Sequence, residues 1–153
     1  MSPAHILVVD DEADIRSTIS DILTDEGYAV TVAGDAADAR REVQRAAPDL
    51  ILLDVWMPDI DGITLLREWT DAGTPDCPVV ILSGHGTVET AVEATRLGAV
   101  DFVEKPLSLA KLLRTVQKAL DAAKRTHQTG RGRRQRTTSL TPTPTSPDTA
   151  PAA

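Results

Sequence analysis

Cysteine, aromatic residues and long apolar runs are scarce in this chain. One of its 153 residues is cysteine, and aromatic side chains make up 3% of them. A single cysteine excludes an internal disulfide and is typical of a reducing compartment, and we interpret Cys77 as a small structural residue. No apolar run is long enough to span a membrane, and the residues Met1–His5 do not resemble an export signal. These absences predict a cytoplasmic protein with no membrane partner.

The charge is distributed unevenly along the chain. Residues 1–121 hold 10 Lys and Arg against 22 Asp and Glu, whereas residues 122–153 hold 6 against 1. An acidic body is not typical of a nucleic-acid-binding domain. Residues 130–136 are basic and residues 137–153 are rich in Thr and Pro, a composition that predicts disorder. We therefore expect a folded domain over residues 4–122 and a disordered tail over 123–153, without specific DNA binding.

Four apolar runs of this sequence each end in a polar residue. They are Ile6–Val9 before Asp10 and Asp11, Leu50–Leu53 before Asp54, Val79–Leu82 before Ser83, and Val100–Glu104 before Lys105. Short apolar runs are typical of buried parallel strands, and the alternation in Ala29–Ala33 predicts another, shorter strand. Helical spacing lies between and after the strands, with Asp35, Thr87 and Ser108 as expected N-caps. The alternation predicts an α/β fold, a doubly wound five-stranded parallel sheet of order 2-1-3-4-5 with helices on both faces.

Open parallel sheets bind ligands at the carboxyl ends of their strands, so these polar residues should share one edge. Asp10, Asp11 and Asp54 would repel one another there unless their pKa values shift or a cation binds. An oxygen-only site suits Mg²⁺, or Mn²⁺ in its place. Lys105 and Ser83 would supply a positive charge and a hydrogen bond to phosphoryl oxygens. Asp54, on the central strand, is the best candidate for a nucleophile that becomes an aspartyl phosphate.

Four motifs at these strand ends resemble those of the receiver domain of two-component response regulators. They are Val8-Val-Asp-Asp-Glu12, Leu53-Asp-Val-Trp-Met-Pro58, Ser83-Gly84 and Glu104-Lys-Pro106, in the order that the family has. The resemblance extends from about Ile6 to Leu120, and residues 82–92 and 101–106 look closest to the nitrogen-regulation NtrC/NtrX type. It implies a flavodoxin-like or CheY-like fold.

The resemblance also implies a role for each matching residue. Asp54 would accept a phosphoryl group from a sensor histidine kinase, and Lys105 would pair with that group. Mg²⁺ would be held by Asp11, Asp54 and the backbone carbonyl of Trp56, with Asp10 acting through water. Ser83 would move toward the phosphoryl group and Phe102 would turn inward behind it, which would change the face made by the fourth helix, the fifth strand and the fifth helix. One expected partner is a second copy of the phosphorylated chain, bound through this face as a homodimer. Trp56 and His85 would border the phosphoryl group.

Some of the acidic residues could have simpler roles, and two alternative functions remain open for the whole chain. An Asp after a strand commonly caps a helix, and Asp59 and Asp61 are expected in a turn rather than at the metal. An aspartyl-phosphate hydrolase is an alternative function, although such enzymes carry D-x-D after the first strand. The chain could also be a fragment of a longer sigma-54-type transcriptional regulator, but no G-x-x-x-x-G-K-[ST] motif is present. The sequence leaves the kinase, the stimulus and the output partner open.

Overall fold

Strands and helices alternate along the chain. The computed structural model describes residues 3–84, 88–105 and 108–130. The strands are β1 (His5–Val9), β2 (Ala29–Ala33), β3 (Leu50–Asp54), β4 (Val79–Ser83) and β5 (Asp101–Glu104). The helices are α1 (Ala13–Asp25), α2 (Ala36–Arg45), α3 (Gly62–Ala72), α4 (Val88–Arg96) and α5 (Leu109–Gly130). The chain divides into two units, residues 1–120 and 121–153, and the sheet belongs to the first.

The five strands form one parallel sheet of order β2-β1-β3-β4-β5. This confirms the order predicted from the sequence. Val9 pairs with Leu53, Asp54 with Leu82, and Ser83 with Glu104. Every residue of β3 and β4 is buried, which explains their continuous apolar sequences. The polar residues at the ends of β3, β4 and β5 therefore lie side by side.

The core has one apolar cluster on each face of the sheet, because successive strand residues point to opposite faces. The first cluster joins Ile51, Leu53 and Ile81 to buried residues of α2, α3 and α4, including Trp69. The second joins Leu52 and Leu82 and their neighbours to buried residues of α1 and α5. The sheet is thus covered on both sides.

The helices begin and end where local chemistry favours it. Asp35 caps α2 by accepting a hydrogen bond from the backbone N–H of Asp38, as predicted, and Asp61 caps α3 through Thr64. The Ser108 hydroxyl accepts a 3.4 Å hydrogen bond from the backbone N–H of Lys111 in the first turn of α5. The expected cap of α4, Thr87, lies outside the described residues.

The last helix is longer than the apolar pattern predicted. That pattern ends near Leu120, but α5 continues to Gly130. Ala, Lys, Arg and Gln of this stretch are good helix formers, and no Pro or Gly interrupts them before Gly130. Residues 131–153 lie outside the described part of the chain, and the domain limits of 4–122 and 123–153 stay predictions.

Among the described helices, none has the length and apolar content that crossing a membrane requires.

Candidate functional site

Three strands bring the predicted residues to one edge of the sheet. Asp10 follows β1, Asp54 is the last residue of β3, and Lys105 follows β5. The Lys105 Nζ lies 2.9 Å from Asp10 Oδ2 and 3.3 Å from Asp54 Oδ1. It also lies 3.4 Å from an oxygen of Glu12. One ammonium therefore holds three carboxylates together across the sheet edge.

Asp10 is fully buried, and backbone and side-chain partners fix it at several atoms. Its N–H donates to the Ala33 carbonyl, and its Oδ1 accepts from the backbone N–H of Glu12 at 2.9 Å. Its carbonyl oxygen accepts a 2.6 Å hydrogen bond from Arg16 Nη1. The remaining oxygen, Oδ2, is paired with the Lys105 ammonium at 2.9 Å. Both side-chain oxygens of this buried carboxylate therefore have partners that fix its orientation.

Asp11 and Glu12 extend the carboxylate cluster outward. Both side chains are exposed, and one oxygen from each of Asp10, Asp11 and Glu12 can lie within 4.8 Å of the other two. The predicted Asp10–Asp11 pair is thus brought together. Glu12 was not predicted as a member, although its place directly after the two aspartates was the available signal. An all-oxygen donor set of carboxylates fits a hard cation such as Mg²⁺.

Asp54 is 3% exposed, which makes it a buried acid. Burial, followed by the charge of Asp10, raises the pKa of the Asp54 carboxyl to about 6, while Lys105 acts in the opposite direction. Burial alone would lower the pKa of Lys105, but its contacts with Asp10 and Asp54 raise it overall. At neutral pH the Asp54 carboxyl is therefore mainly ionised and faces an ammonium ion. Such an arrangement can receive a charged phosphoryl group.

The loop after β3 is tied closely to the backbone of Asp54. Gly62, the first residue of α3, donates a 2.6 Å hydrogen bond from its N–H to the Val55 carbonyl. A Cβ at Gly62 would overlap the Asp54 carbonyl oxygen, so the close approach requires glycine. Residue spacing did not predict a role for Gly62, whose only signal in the sequence is its position after the α3 cap. Trp56 in this loop is 63% exposed, and the metal-binding role of its carbonyl stays a prediction.

Asp59 and Asp61 of the same loop act as helix caps. Asp59 accepts hydrogen bonds from the backbone N–H groups of Ala36 and Ala37 at the start of α2, and from that of Ile60. Burial opposes its charge, but these hydrogen bonds outweigh burial and lower the pKa of the Asp59 carboxyl. The loop that carries Trp56 is therefore fastened to α2.

Ser83 and Phe102 occupy neighbouring strands. Ser83 is buried at the end of β4, and its carbonyl accepts a 2.7 Å hydrogen bond from the Lys105 backbone N–H. Phe102 pairs with Ile81 in the sheet and packs, half-buried, against the core cluster of α2, α3 and α4. Their switching roles stay predictions, and His85 and Pro106 lie outside the described residues.

Cys77 lies away from this chemistry. Burial, with smaller contributions from the charges of Asp76 and Asp49, raises the pKa of its thiol to about 12. The thiolate is the reactive form of cysteine, so this side chain is inert near neutral pH.

Known proteins are similar to this chain in both sequence and fold. The family described as the response regulator receiver domain matches residues 6–117. The nitrogen assimilation regulatory protein NtrX of Azorhizobium caulinodans is 45% identical over 121 residues, which is 77% of this chain and 26% of that protein. The crystal structure of NtrX from Brucella abortus superposes with a TM-score of 0.81 and 43% identity, over 86% of this chain and 30% of that one. The receiver domain of the same Brucella protein gives a TM-score of 0.72 and 46% identity, over 76% of this chain and 98% of that one.

The matched region decides the family. It includes β1 from Ile6 onward, the other four strands in full, and the site at the carboxyl ends of the strands. The chain spans about a quarter of the length of the Azorhizobium protein, so that protein's whole activity does not transfer with the match. The chain belongs to the family of response regulator receiver domains.

Proposed function

We propose that this chain accepts a phosphoryl group on Asp54 from a sensor histidine kinase and passes the signal on through a change of its surface. The placement of Asp54 carries the proposal. Its carboxylate is buried at the end of the central strand, 3.3 Å from the Lys105 ammonium and beside the Asp10–Asp11 pair. A nucleophile, a positive charge and a set of oxygen ligands are what phosphoryl transfer to a carboxylate requires.

The transfer exchanges one bond to phosphorus for another. An oxygen of ionised Asp54 attacks the phosphorus of a phosphohistidine, in line with the bond to nitrogen. The P–O bond forms as the P–N bond breaks, and the electron pair of the broken bond leaves with the imidazole. The Lys105 ammonium would offset the negative charge of the phosphoryl oxygens, and the Ser83 hydroxyl would donate a hydrogen bond to one of them. With its pKa near 6, Asp54 is mainly ionised at neutral pH and ready to attack.

The carboxylates of the site would hold the required cation. Asp11, Asp54 and the Trp56 carbonyl would bind Mg²⁺, or Mn²⁺ in its place, and Asp10 would act through a water molecule. When bound, the cation supplies positive charge that stabilises the phosphoryl oxygens during transfer. The carboxylate oxygens of Asp10, Asp11 and Glu12, which lie within 4.8 Å of one another, support this assignment.

The face formed by α4, β5 and α5 would transmit the signal to a partner. Ser83 would turn toward the phosphoryl group, and Phe102 would follow into the space behind it, which biases this face between two arrangements. Three apolar side chains are exposed in this region, Val92 on α4, Val100 before β5 and Leu109 at the start of α5. Their exposure favours a protein partner, and a phosphorylated homodimer is the assembly we propose. A single cysteine, which allows no internal disulfide, fits the cytoplasmic location we propose.

Phosphorylation by a small donor tests the proposal. The full chain is incubated with acetyl phosphate and Mg²⁺, and intact mass and light scattering are recorded. We expect the mass of one phosphoryl group on the wild type and on the control Asp71→Asn, an exposed α3 carboxylate, but none on Asp54→Asn or after chelation. Steady turnover of phosphoesters by the wild type would favour the hydrolase alternative. No phosphorylation of the wild type would refute the proposal.

A further inference from the structure

Arg16 lies in the first turn of α1, and it points back into the acidic site. Side chains of a helix tilt toward its N-terminus, so a residue in the first turn can reach the segment before the helix. Arg16 Nη1 donates a 2.6 Å hydrogen bond to the Asp10 carbonyl oxygen. That carbonyl belongs to the peptide that links Asp10 to Asp11. The guanidinium thus contacts the backbone between two carboxylates of the proposed metal site.

The space for the guanidinium is provided by Gly34, directly after β2. A Cβ at Gly34 would lie 3.1 Å from Arg16 Nη1 and 3.5 Å from its Cζ. Any larger side chain would therefore push the guanidinium by a few tenths of an ångström. Asp10 itself is held to the same strand, because its N–H donates to the Ala33 carbonyl at 3.1 Å. Arg16, Gly34 and the end of β2 form one support around the Asp10–Asp11 peptide.

A fixed peptide plane has a direct consequence for Asp11. The peptide bond is planar, so the direction of the Asp10 carbonyl also sets the direction in which the Asp11 Cα lies. The exposed Asp11 side chain depends on this backbone for its placement. Mg²⁺ tolerates little deviation from octahedral geometry, so an error in the placement of a ligand weakens its binding. We propose that Arg16 is a positioning residue that holds Asp11 and Asp10 in the geometry Mg²⁺ requires.

This role opposes the electrostatic effect of the same side chain. A positive charge near a cation site repels the cation, so removing the charge alone would tighten Mg²⁺ binding. Positioning predicts the reverse, because the loss of an outer hydrogen bond that orients a metal ligand weakens binding, by about tenfold or more in known sites. The sign of the change therefore separates the two effects. The inference rests on the proposed function, since it assumes a metal at this site.

Calorimetric titration of the metal-free full chain with Mg²⁺ and with Ca²⁺ tests the proposal. We expect Arg16→Met to weaken Mg²⁺ binding about tenfold, and Arg16→Lys, which keeps one donor and the charge, to weaken it less. Gly34→Ala should shift the Kd in the same direction by displacing the guanidinium. Ca²⁺ accepts more irregular coordination, so its Kd should change less than that of Mg²⁺. The control Arg45→Met removes an exposed arginine that pairs only with Glu42 at 2.7 Å among the described residues, and it should leave both Kd values unchanged.

Each outcome decides for or against the inference. Suppose that the wild type binds Mg²⁺ and is phosphorylated. Tighter or unchanged Mg²⁺ binding by Arg16→Met would then overturn the positioning role and leave the proposed function intact. Equal losses for Mg²⁺ and Ca²⁺ would also overturn it, since positioning predicts a difference. If Arg16→Met does not fold, Arg16→Lys and Gly34→Ala decide by the same criteria. A wild type that neither binds Mg²⁺ nor accepts a phosphoryl group would refute the proposed function and this inference together.

Discussion

Replacing Asp54 by asparagine should stabilise the metal-free protein at neutral pH. The Asp54 side chain is buried and faces the charge of Asp10, which together raise the pKa of its carboxyl from the ordinary 3.8 to about 6. A difference of about two pKa units corresponds to about 3 kcal/mol of folding free energy. Asparagine has a similar shape and no charge to bury, and Lys105 keeps its contact with Asp10 at 2.9 Å. The substitution should therefore raise the free energy of unfolding by up to about 3 kcal/mol.

The direction of the pH dependence follows from the raised pKa. Between about pH 4 and 6 the folded chain binds a proton on Asp54 that the unfolded chain has already released. The free energy of unfolding of the wild type therefore falls, through this group, as the pH rises across that window, and the loss is complete above pH 6. Asp54→Asn lacks this pH-dependent loss. The difference between its free energy of unfolding and that of the wild type should be near zero at the acid end of the window and greatest at neutral pH.

Urea unfolding of both proteins in the presence of a chelator measures this difference. The transitions are followed by circular dichroism at several pH values from about 4 to 8, with Asp71→Asn as the exposed control. Adding Mg²⁺ should stabilise the wild type more than Asp54→Asn, since asparagine is a poorer ligand. The reasoning would be refuted if Asp54→Asn were less stable than the wild type at neutral pH. It would also be refuted if the gain in stability were the same at every pH.

Three further substitutions test other parts of the site. Lys105→Met should lower the free energy of unfolding by about 3 kcal/mol at neutral pH, because it leaves buried carboxylates without their counter-ion; Mg²⁺ should recover much of the loss, and a metal-free variant as stable as the wild type would contradict the ion-pair account. Gly62→Ala should cost about 1–3 kcal/mol in urea unfolding, because its Cβ would overlap the Asp54 carbonyl; an unchanged midpoint would show that the loop moves freely. Asp59→Ala should cost about 1 kcal/mol by loss of a helix cap. The lowered pKa of Asp59 means that its contribution is present above pH 4 and is lost as the pH falls through the folded value, so the two proteins should converge in acid.

The strand ends show how far the sequence alone could lead. A buried parallel strand must be apolar on both faces, so β3 and β4 appear as continuous apolar runs that stop at Asp54 and Ser83. The carboxyl ends of parallel strands meet at one edge, which makes the convergence of Asp10, Asp54 and Lys105 predictable. These positions depend on periodicity and strand order, and both are properties of the sequence pattern.

The supporting contacts could not be predicted in the same way. Arg16 reaches Asp10 because of the angle at which α1 leaves the sheet, and Gly62 matters because α3 starts against the Asp54 carbonyl. Such contacts depend on distances of a few ångströms between segments, which residue spacing does not encode. The end of α5 could not be predicted for another reason. Its last residues carry no apolar periodicity in the sequence but include good helix formers, and the helix continues to Gly130.

Locating the phosphoryl group in the labelled chain tests the central claim most directly. After treatment with acetyl phosphate and Mg²⁺, the acyl phosphate is reduced with borohydride, and the modified residue is identified by peptide mass spectrometry. The account predicts one modified residue, Asp54, and its disappearance when Mg²⁺ is chelated. Modification of Asp10 or Asp11, or of Asp54 to the same extent without metal, would contradict it.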